Sequence, residues 1–520
     1  MNNLNKELNK ILKEEIITFR ENGHKFLNKE INVAQFKGMS GGMGVYAHRG
    51  GQEFMIRLKT PSGRATKEDL AKIYEWASRY NLEWIHPTTR EAIQLHGLGI
   101  DDVCDLMEEA MDYGIYTRGS GGNFPRNVAI SPLSGVEKGE AFDVTPYAEA
   151  VNEYIMQRVY TYKLPRKIKI AMANNLADAP HCTATDLGFL AVKENGENMF
   201  KVYLGGGLGR NPRLSVEYDE LIKPEDVIYH VQAMVDLFMA EGDYSNKNKA
   251  RIRYIVERMG EEEFVKCYKK HLAEQFENKD LKIEVKKEEI IKSGCKTNLE
   301  HSRLVEQKQD GLYSVYFHPF GGKLNMSNLK GIIDATKDME AVDFRFTMEE
   351  GMYIRNLNGK EAEKMIELTQ GHGGEIKVMQ SVSCIGVPIC QMGLANSQGL
   401  LKSILDKLSN ENVEKDLLPV IHISGCSNSC GVHEIGELGF TGKSKRVDDA
   451  PRKCFELHVG GNFAIGEAKL GEVYGDILDE EVPNFVYDLY TALEKDNAKF
   501  NDWYVENKEE FRNIVNKYLV

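Results

Sequence analysis

Apolar residues recur near the start of the chain at Leu4, Leu8, Ile11, Leu12, Ile16 and Phe19. That spacing is one face of an amphipathic helix, not the continuous apolar block of a secretion signal. The glycine-rich stretch GMSGGMG (38–44) reads as a connector, and beyond it the period changes. Residues 53–58 alternate as a strand, 66–79 read as a helix opened by Thr66 as N-cap with acidic residues in its first turn, and 92–98 read as another strand. Helical spacing of Val227, Val231, Val235 and Phe238 predicts core helices across 224–276. The charged stretch 277–292 predicts a solvated connector, and 480–520 predicts helices with aromatic faces.

The first unit returns. At a constant offset of 259, Ile56 meets Val315, Leu58 meets Phe317, Gly63 meets Gly322, Leu70 meets Leu329, Ile73 meets Ile332, Thr88 meets Thr347 and Leu95 meets Ile354. A second repeat is interleaved with it: residues 163–209 parallel 417–464, each reading as strand, loop, strand and glycine turn. The chain is therefore an α+β protein of A-B-A′-B′ order with pseudo-twofold symmetry.

The copies differ where chemistry would sit. Arg90 stands where the second copy has Glu349, and Lys167 and Lys169 are matched to Ile421 and Ile423. Alternation along a strand puts the two lysines on one face. One copy holds cations; the other holds cysteines.

Cys384 and Cys390 form C-x5-C and Cys426 and Cys430 form C-x3-C, with 35 residues between the pairs. Both pairs lie among Gly, Pro, Ser and Asn, which let backbone N–H groups turn toward sulfur. A [4Fe–4S] cluster fits this spacing better than the alternatives, a zinc site on short knuckles or two disulfides. The other five cysteines, Cys104, Cys182, Cys267, Cys295 and Cys454, are scattered singly.

Composition limits the rest. No apolar run reaches membrane-spanning length, and single cysteines with a thiolate site predict a reducing cytoplasm. A net charge of −13 disfavours a nucleic-acid partner. The glycine stretches 119–122, 205–209 and 460–461 do not open helices as G-x-G-x-x-G, and no flavin or nicotinamide fingerprint is found, so electrons would come from a separate protein.

C-x5-C followed by C-x3-C in a G-C-x-N-S-C-G setting resembles the signature of the sirohaem-containing sulfite and nitrite reductases, and the duplicated order resembles that family over residues 45–475. The resemblance implies two ferredoxin-like halves pairing into one domain, and two larger halves enclosing sirohaem. The expected boundaries are 1–44 (helical extension), 45–117 and 311–372 (ferredoxin-like halves), 118–310 (sirohaem and substrate half) and 373–520 (cluster and sirohaem half). It implies that Cys384, Cys390, Cys426 and Cys430 bind the cluster, with Cys430 also the axial ligand of the sirohaem iron. By the same resemblance Arg90, Arg126, Lys167 and Lys169 hold the substrate anion, and Arg118 and Arg166 serve sirohaem carboxylates. The implied reaction is the six-electron reduction of sulfite to sulfide with ferredoxin or a reductase subunit as donor. Nitrite reduction to ammonia is the alternative, since nitrite-preferring members typically have Asn at the Lys169 position. A non-catalytic iron–sulfur carrier would account for the cysteines but not for the cations.

Overall fold

The computed structural model describes residues 6–286, 288–447 and 449–520, so Leu4 of the predicted stripe lies outside the described residues. The first helix runs Lys6–Leu27 and buries Leu12, Ile16 and Phe19, while Ile11 turns outward. The predicted connector is instead a second helix, Val33–Met43. Asn32 accepts from the Gln35 N–H and the Gln35 side chain accepts from the Asn32 N–H, a capping box that starts the helix; Gly44 ends it at φ +82°. Its glycines serve close approach: a Cβ on Gly42 would sit 2.5 Å from the Arg118 guanidinium.

The 259-residue offset holds element by element. Strand Phe54–Leu58 matches Leu312–Phe317, helix Lys67–Arg79 matches Met326–Thr336, strand Trp84–Pro87 matches Asp343–Phe346, Ile93–Leu98 matches Met352–Asn358, and helix Ile100–Tyr113 matches Gly359–Thr369. Thr66 caps its helix with Asp69 in a capping box. The two units exchange a strand. Arg64–Ala65 pairs with Asp343–Phe346 of the second unit, and Leu324–Asn325 pairs with Trp84–Pro87 of the first, so each five-stranded sheet is completed by its partner unit. Both units and the N-terminal helices share one apolar core, containing Phe36, Ile56, Leu58, Val315, Phe317 and Phe344.

Each larger half is a mixed sheet of the same topology. Ala129–Ile130, Ile170–Ala173 and Leu187–Glu194 run parallel and then turn back antiparallel through Glu197–Leu204 and Val216–Glu217. Val382–Ser383, Ile421–Ser424, Leu438–Val447, Ala450–Val459 and Glu472–Leu478 repeat the order. Ile170 pairs with Leu187 and Ile421 pairs with Leu438, which sets the offset of this repeat at 251. The positive-φ residues agree: Asp178 with Ser429, and His181 with Val432. The sequence match of Lys167 and Lys169 to Ile421 and Ile423 is thus displaced by three positions; their counterparts are Leu418 and Val420. The apolar alternation I-x-I recurs in both copies of this strand, so a local pattern match could not fix its register.

Helices Val227–Glu241, Ile252–Met259 and Glu261–Asn278 fill the predicted helical region and cover the first sheet. Residues after Asn278 have no regular structure until Leu304 and are largely exposed, apart from Lys287, which lies outside the described residues. The C-terminal helices Val482–Asp496, Phe500–Glu506 and Lys508–Asn516 bury Phe485, Phe500, Trp503 and Phe511 against the second sheet. Among the described residues, no helix is long and apolar enough to cross a membrane.

Candidate active site

The four signature cysteines come from two loops at the C-terminal ends of parallel strands, where open sheets of this kind place ligands. Cys384 follows Val382–Ser383 and donates its N–H to the Ile423 carbonyl at 3.1 Å. Its sulfur accepts from the Gly425 N–H at 3.1 Å and lies 3.3 Å from Ser397 Oγ. Cys426 follows Ile421–Ser424, and its sulfur accepts from Asn428 Nδ2 at 3.4 Å. The Met392 and Gly393 amides point at the Cys390 sulfur, and the Asn428 amide points at the Cys426 sulfur. These are the sulfur-directed N–H groups that the Gly- and Asn-rich flanks predict.

Burial, followed by the charge of Cys430, pushes the Cys384 thiol up to about 12 and raises that of Cys390. Burial raises Cys426 too, with Cys430 and Cys390 contributing. Each of the other three thiols thus lies within electrostatic reach of Cys430. All nine cysteines are free thiols in this structure. Among the described residues no group of three or more His, Cys, Asp or Glu is drawn close enough to hold a single metal ion. Mutually repelling thiols with N–H donors on sulfur suit a polynuclear cluster, whose ligands must be deprotonated and whose charge those donors offset.

The cations gather on the opposite half. Lys167 and Lys169 alternate with Ile168 and Ile170, which are fully buried, so both ammonium groups emerge on one face as the strand pattern predicts. Neither has a protein hydrogen-bond or ion-pair partner among the described residues. Arg126 is held by the carbonyls of Gly121 at 2.9 Å, Phe124 at 2.8 Å and Gly122 at 2.8 Å. Arg90 donates to the Ile170 carbonyl. Burial depresses all four: Lys169 falls to about 7, Arg126 to about 9 and Arg90 to about 10, and Lys167 lies well below the usual lysine range. They also act on one another, with Lys167 depressed by Lys169 and Arg126, and Lys169 by Arg90. Among the signature cysteines it is Cys430 whose charge reaches both lysines and raises them. Thr89, next to Arg90, donates to the Cys430 carbonyl at 2.7 Å, which pins the cysteine loop to the cation-bearing unit.

Arg118 and Arg166 part company. Arg118 is engaged by Glu15, with its Nε 3.1 Å from a carboxylate oxygen, and its guanidinium stacks over Phe124 and Tyr160. Arg166 has no protein partner among the described residues and is depressed by burial, with Arg251 adding to the effect.

Three groups escaped sequence reasoning. Arg251 is buried and paired with Asp186 at 2.7 Å, and its charge depresses Arg90, Arg126, Lys167 and Lys169 together. Asp186 in turn accepts from the Lys169 N–H at 2.8 Å. Arg57 donates to the Ser120 carbonyl at 2.8 Å and lies over the Tyr46 ring, and its charge reaches Arg126. Lys59 is buried beside Met156 and falls to about 7. Comparing the copies would have found Arg57, whose counterpart is Tyr316; Arg251 lies between the repeats and has no such signal.

The comparisons with known proteins bear on this arrangement. The model of the nitrite and sulphite reductase 4Fe-4S domain matches residues 121–276, and that of the nitrite/sulfite reductase ferredoxin-like half domain matches 46–113 and again 305–371. The chain belongs to the nitrite and sulfite reductase family. The first match carries Arg126, Lys167 and Lys169; the four cysteines lie beyond it, in the pseudo-symmetric half. Similar curated proteins include the chloroplastic ferredoxin–nitrite reductase of Spinacia oleracea, 23% identical over 81% of this chain and 72% of the relative. Another is the sulfite reductase [NADPH] hemoprotein beta-component of Anoxybacillus flavithermus, 24% identical over 82% and 79%. Among solved structures, the Mycobacterium tuberculosis NirA protein has the same fold, with a TM-score of 0.79 at 21% identity over 98% of each chain. Reductases of this family carry sirohaem and a [4Fe–4S] cluster, and the four thiols and the cations with no protein partner fit those two anionic groups.

Proposed function

We propose that this reductase draws electrons from a separate donor protein, a ferredoxin or a reductase subunit, and reduces sulfite to sulfide, six electrons per turnover. Cys384, Cys390, Cys426 and Cys430 would hold the cluster, Cys430 would also serve the sirohaem iron, and Arg166 would meet sirohaem carboxylates, a task for which Arg118 is less available because Glu15 already engages it. When bound, the coupled cofactors supply the electrons and the iron to which the substrate binds.

The observation that supports this reading is the pair Lys167 and Lys169: two half-buried ammonium groups without protein partners among the described residues, within electrostatic reach of Cys430 and beside Arg90 and Arg126. Burying cations is costly unless an anion accompanies them, so the pocket is built for one. The two arginines are fixed by backbone carbonyls and act as rigid donors that orient substrate oxygens. The lysines are flexible and titrate lower. With its pKa near 7, Lys169 can hold a proton against a substrate oxygen and pass it on as that oxygen leaves as water. Three oxygens leave sulfite, each with two protons, so a relay of this kind is needed repeatedly. Arg251, paired with Asp186, adds positive potential at all four cations.

Steady-state kcat/KM for sulfite and for nitrite, with a reduced one-electron donor, tests the assignment. A higher value for sulfite supports it, and a higher value for nitrite overturns it in favour of nitrite reduction to ammonia. Failure to reduce either, with a cluster present and no sirohaem absorption bands, would leave an iron–sulfur carrier.

A further inference from the structure

Two contacts bind the larger halves to each other beside the cysteine loop, and the chemistry above uses neither. In the second half the Glu434 carboxylate is 3% exposed and spans two segments. One oxygen accepts from Ser429 Oγ, and the other accepts from the Gly209 N–H at 2.8 Å. Ser429 immediately precedes Cys430 and holds φ +53°, a left-handed conformation that a serine adopts only when its surroundings impose it. Gly209 closes the GGGLG loop of the first half at φ +113°. A Cβ there would lie 3.5 Å from the Ser427 carbonyl oxygen and 3.8 Å from that of Asn428. The glycine loop thus rests directly on the C-x3-C turn, with Glu434 fastening both.

At the 251 offset the first half holds the same pair with its chemistry exchanged. Asp178, at φ +52°, stands for Ser429, and Thr183 stands for Glu434. Thr183 Oγ1 lies 3.0 Å from Asp178 Oδ2 and 3.2 Å from the Phe463 carbonyl, in the glycine loop of the second half. Each half therefore grips the other's glycine loop through a hydroxyl–carboxylate pair. The residue in the Cys430 position of the first half is Ala179, so that clamp carries no ligand.

We propose that Glu434 is a positioning residue for Cys430, locking the turn that presents this thiolate to the half that carries the anion-binding cations. The proposal rests on Cys430 being a cluster ligand. Glu434 suits the task because each of its oxygens faces a donor, and hydrogen bonds in a site closed to water hold geometry better than exposed ones. The nearby His433 ring, 3.6 Å away, is held neutral by burial and does not compete as a cation.

The test uses the full-length holoprotein and its E434A, E434Q, S429A and T183V variants. The readouts are amide exchange over 205–209, 426–432 and 460–464, iron per chain, the EPR signal of the reduced cluster, and kcat with KM. E434A should speed exchange at both 205–209 and 426–432 by about tenfold or more. It should also alter the cluster signal and lower kcat with little change in KM. In E434Q the amide oxygen can take the Gly209 N–H while its NH2 donates to a reoriented Ser429 hydroxyl, so exchange and signal should recover toward wild type. T183V should speed exchange at 460–464 and leave the cluster signal unchanged. If E434A does not fold, S429A, which removes one hydroxyl, should show the same two changes in weaker form. Unchanged exchange at 205–209 and an unchanged cluster signal in E434A, or in S429A if that variant must stand in, would overturn the proposal. A wild-type protein without an iron–sulfur signal would overturn the cofactor reading instead, and the exchange data would still report on the clamp.

Discussion

Ser131 and Cys384 occupy one position in the two halves, and each takes a hydrogen bond from the equivalent backbone amide: Asn174 N–H on Ser131 Oγ and Gly425 N–H on Cys384 Sγ, both at 3.1 Å. The preceding contact is also shared, since the Ser131 N–H donates to the Met172 carbonyl and the Cys384 N–H to that of Ile423. The scaffold is common to both halves, and one atom, oxygen or sulfur, separates a structural turn from the ligand proposed for the cluster.

Cys384→Ser should therefore keep the fold of the loop yet lose cluster iron, because an alkoxide is a poor, hard substitute for thiolate. Iron and acid-labile sulfide per chain should drop while the far-UV spectrum holds. Ser131→Cys should gain neither, since the counterparts of Cys426 and Cys430 are Asn175 and Ala179. A second equivalent of cluster iron in that variant would contradict the one-site reading.

Lys169→Asn retains a hydrogen-bond donor and removes the charge. A charge-assisted bond exceeds a neutral one by about 1–2 kcal/mol in a partly desolvated site. The ratio of kcat/KM for sulfite over nitrite should fall by roughly five- to thirtyfold. If both substrates lose equally, Lys169 serves the cofactor or the fold and the preference for sulfite loses its support.

The same lysine predicts a pH limb. Burial brings Lys169 down to about 7, so its ammonium is present below that pH and is lost above it. Nitrite remains a monoanion throughout, so its affinity for the cofactor-free pocket should weaken as pH rises from 6 through about 8, with proton uptake on binding. Calorimetry in buffers of differing ionisation enthalpy measures that uptake. Lys169→Asn should flatten the limb, and an unaltered limb would assign it to other groups.

Glu91 carries a stability prediction. Its carboxyl is fully buried and faces the Ile130 N–H at 3.2 Å, and burial raises it to about 8. Its folded pKa lies above the unfolded value, so the folded state keeps a proton that the unfolded chain has released. Its contribution is intact below the unfolded carboxylate range and is lost as pH rises toward and through 8. Glu91→Gln should make Tm less sensitive to pH between 5 and 8 and match or exceed wild type at pH 8. The flattening will be partial, because Glu350, its counterpart at the Ser383 N–H, is also raised by burial.

Much of this architecture could be read from the chain. The first repeat keeps one offset without a gap, so single pairs such as Ile56 and Val315 located whole elements. The four cysteines stood out because their spacing is unusual, and Lys167 and Lys169 because the second copy has apolar residues where they stand. What failed had physical causes. The helix Val33–Met43 was hidden because glycines chosen for close packing look like glycines chosen for freedom. The second repeat slipped by three residues because alternating isoleucines carry no register of their own. Arg251 was invisible because its partners, Asp186 and the lysines, are brought together by the fold alone.

The exchanged strands Arg64–Ala65 and Leu324–Asn325 have a consequence beyond the sheets they complete. Neither unit has a closed edge without the other, so cutting the chain between them would leave each fragment with a gap that only a matching strand can fill. A second copy of the same fragment supplies that strand by symmetry. The chain is in this sense a homodimer made covalent, and the covalent link lets the two sides differ, one holding the thiols and the other the cations.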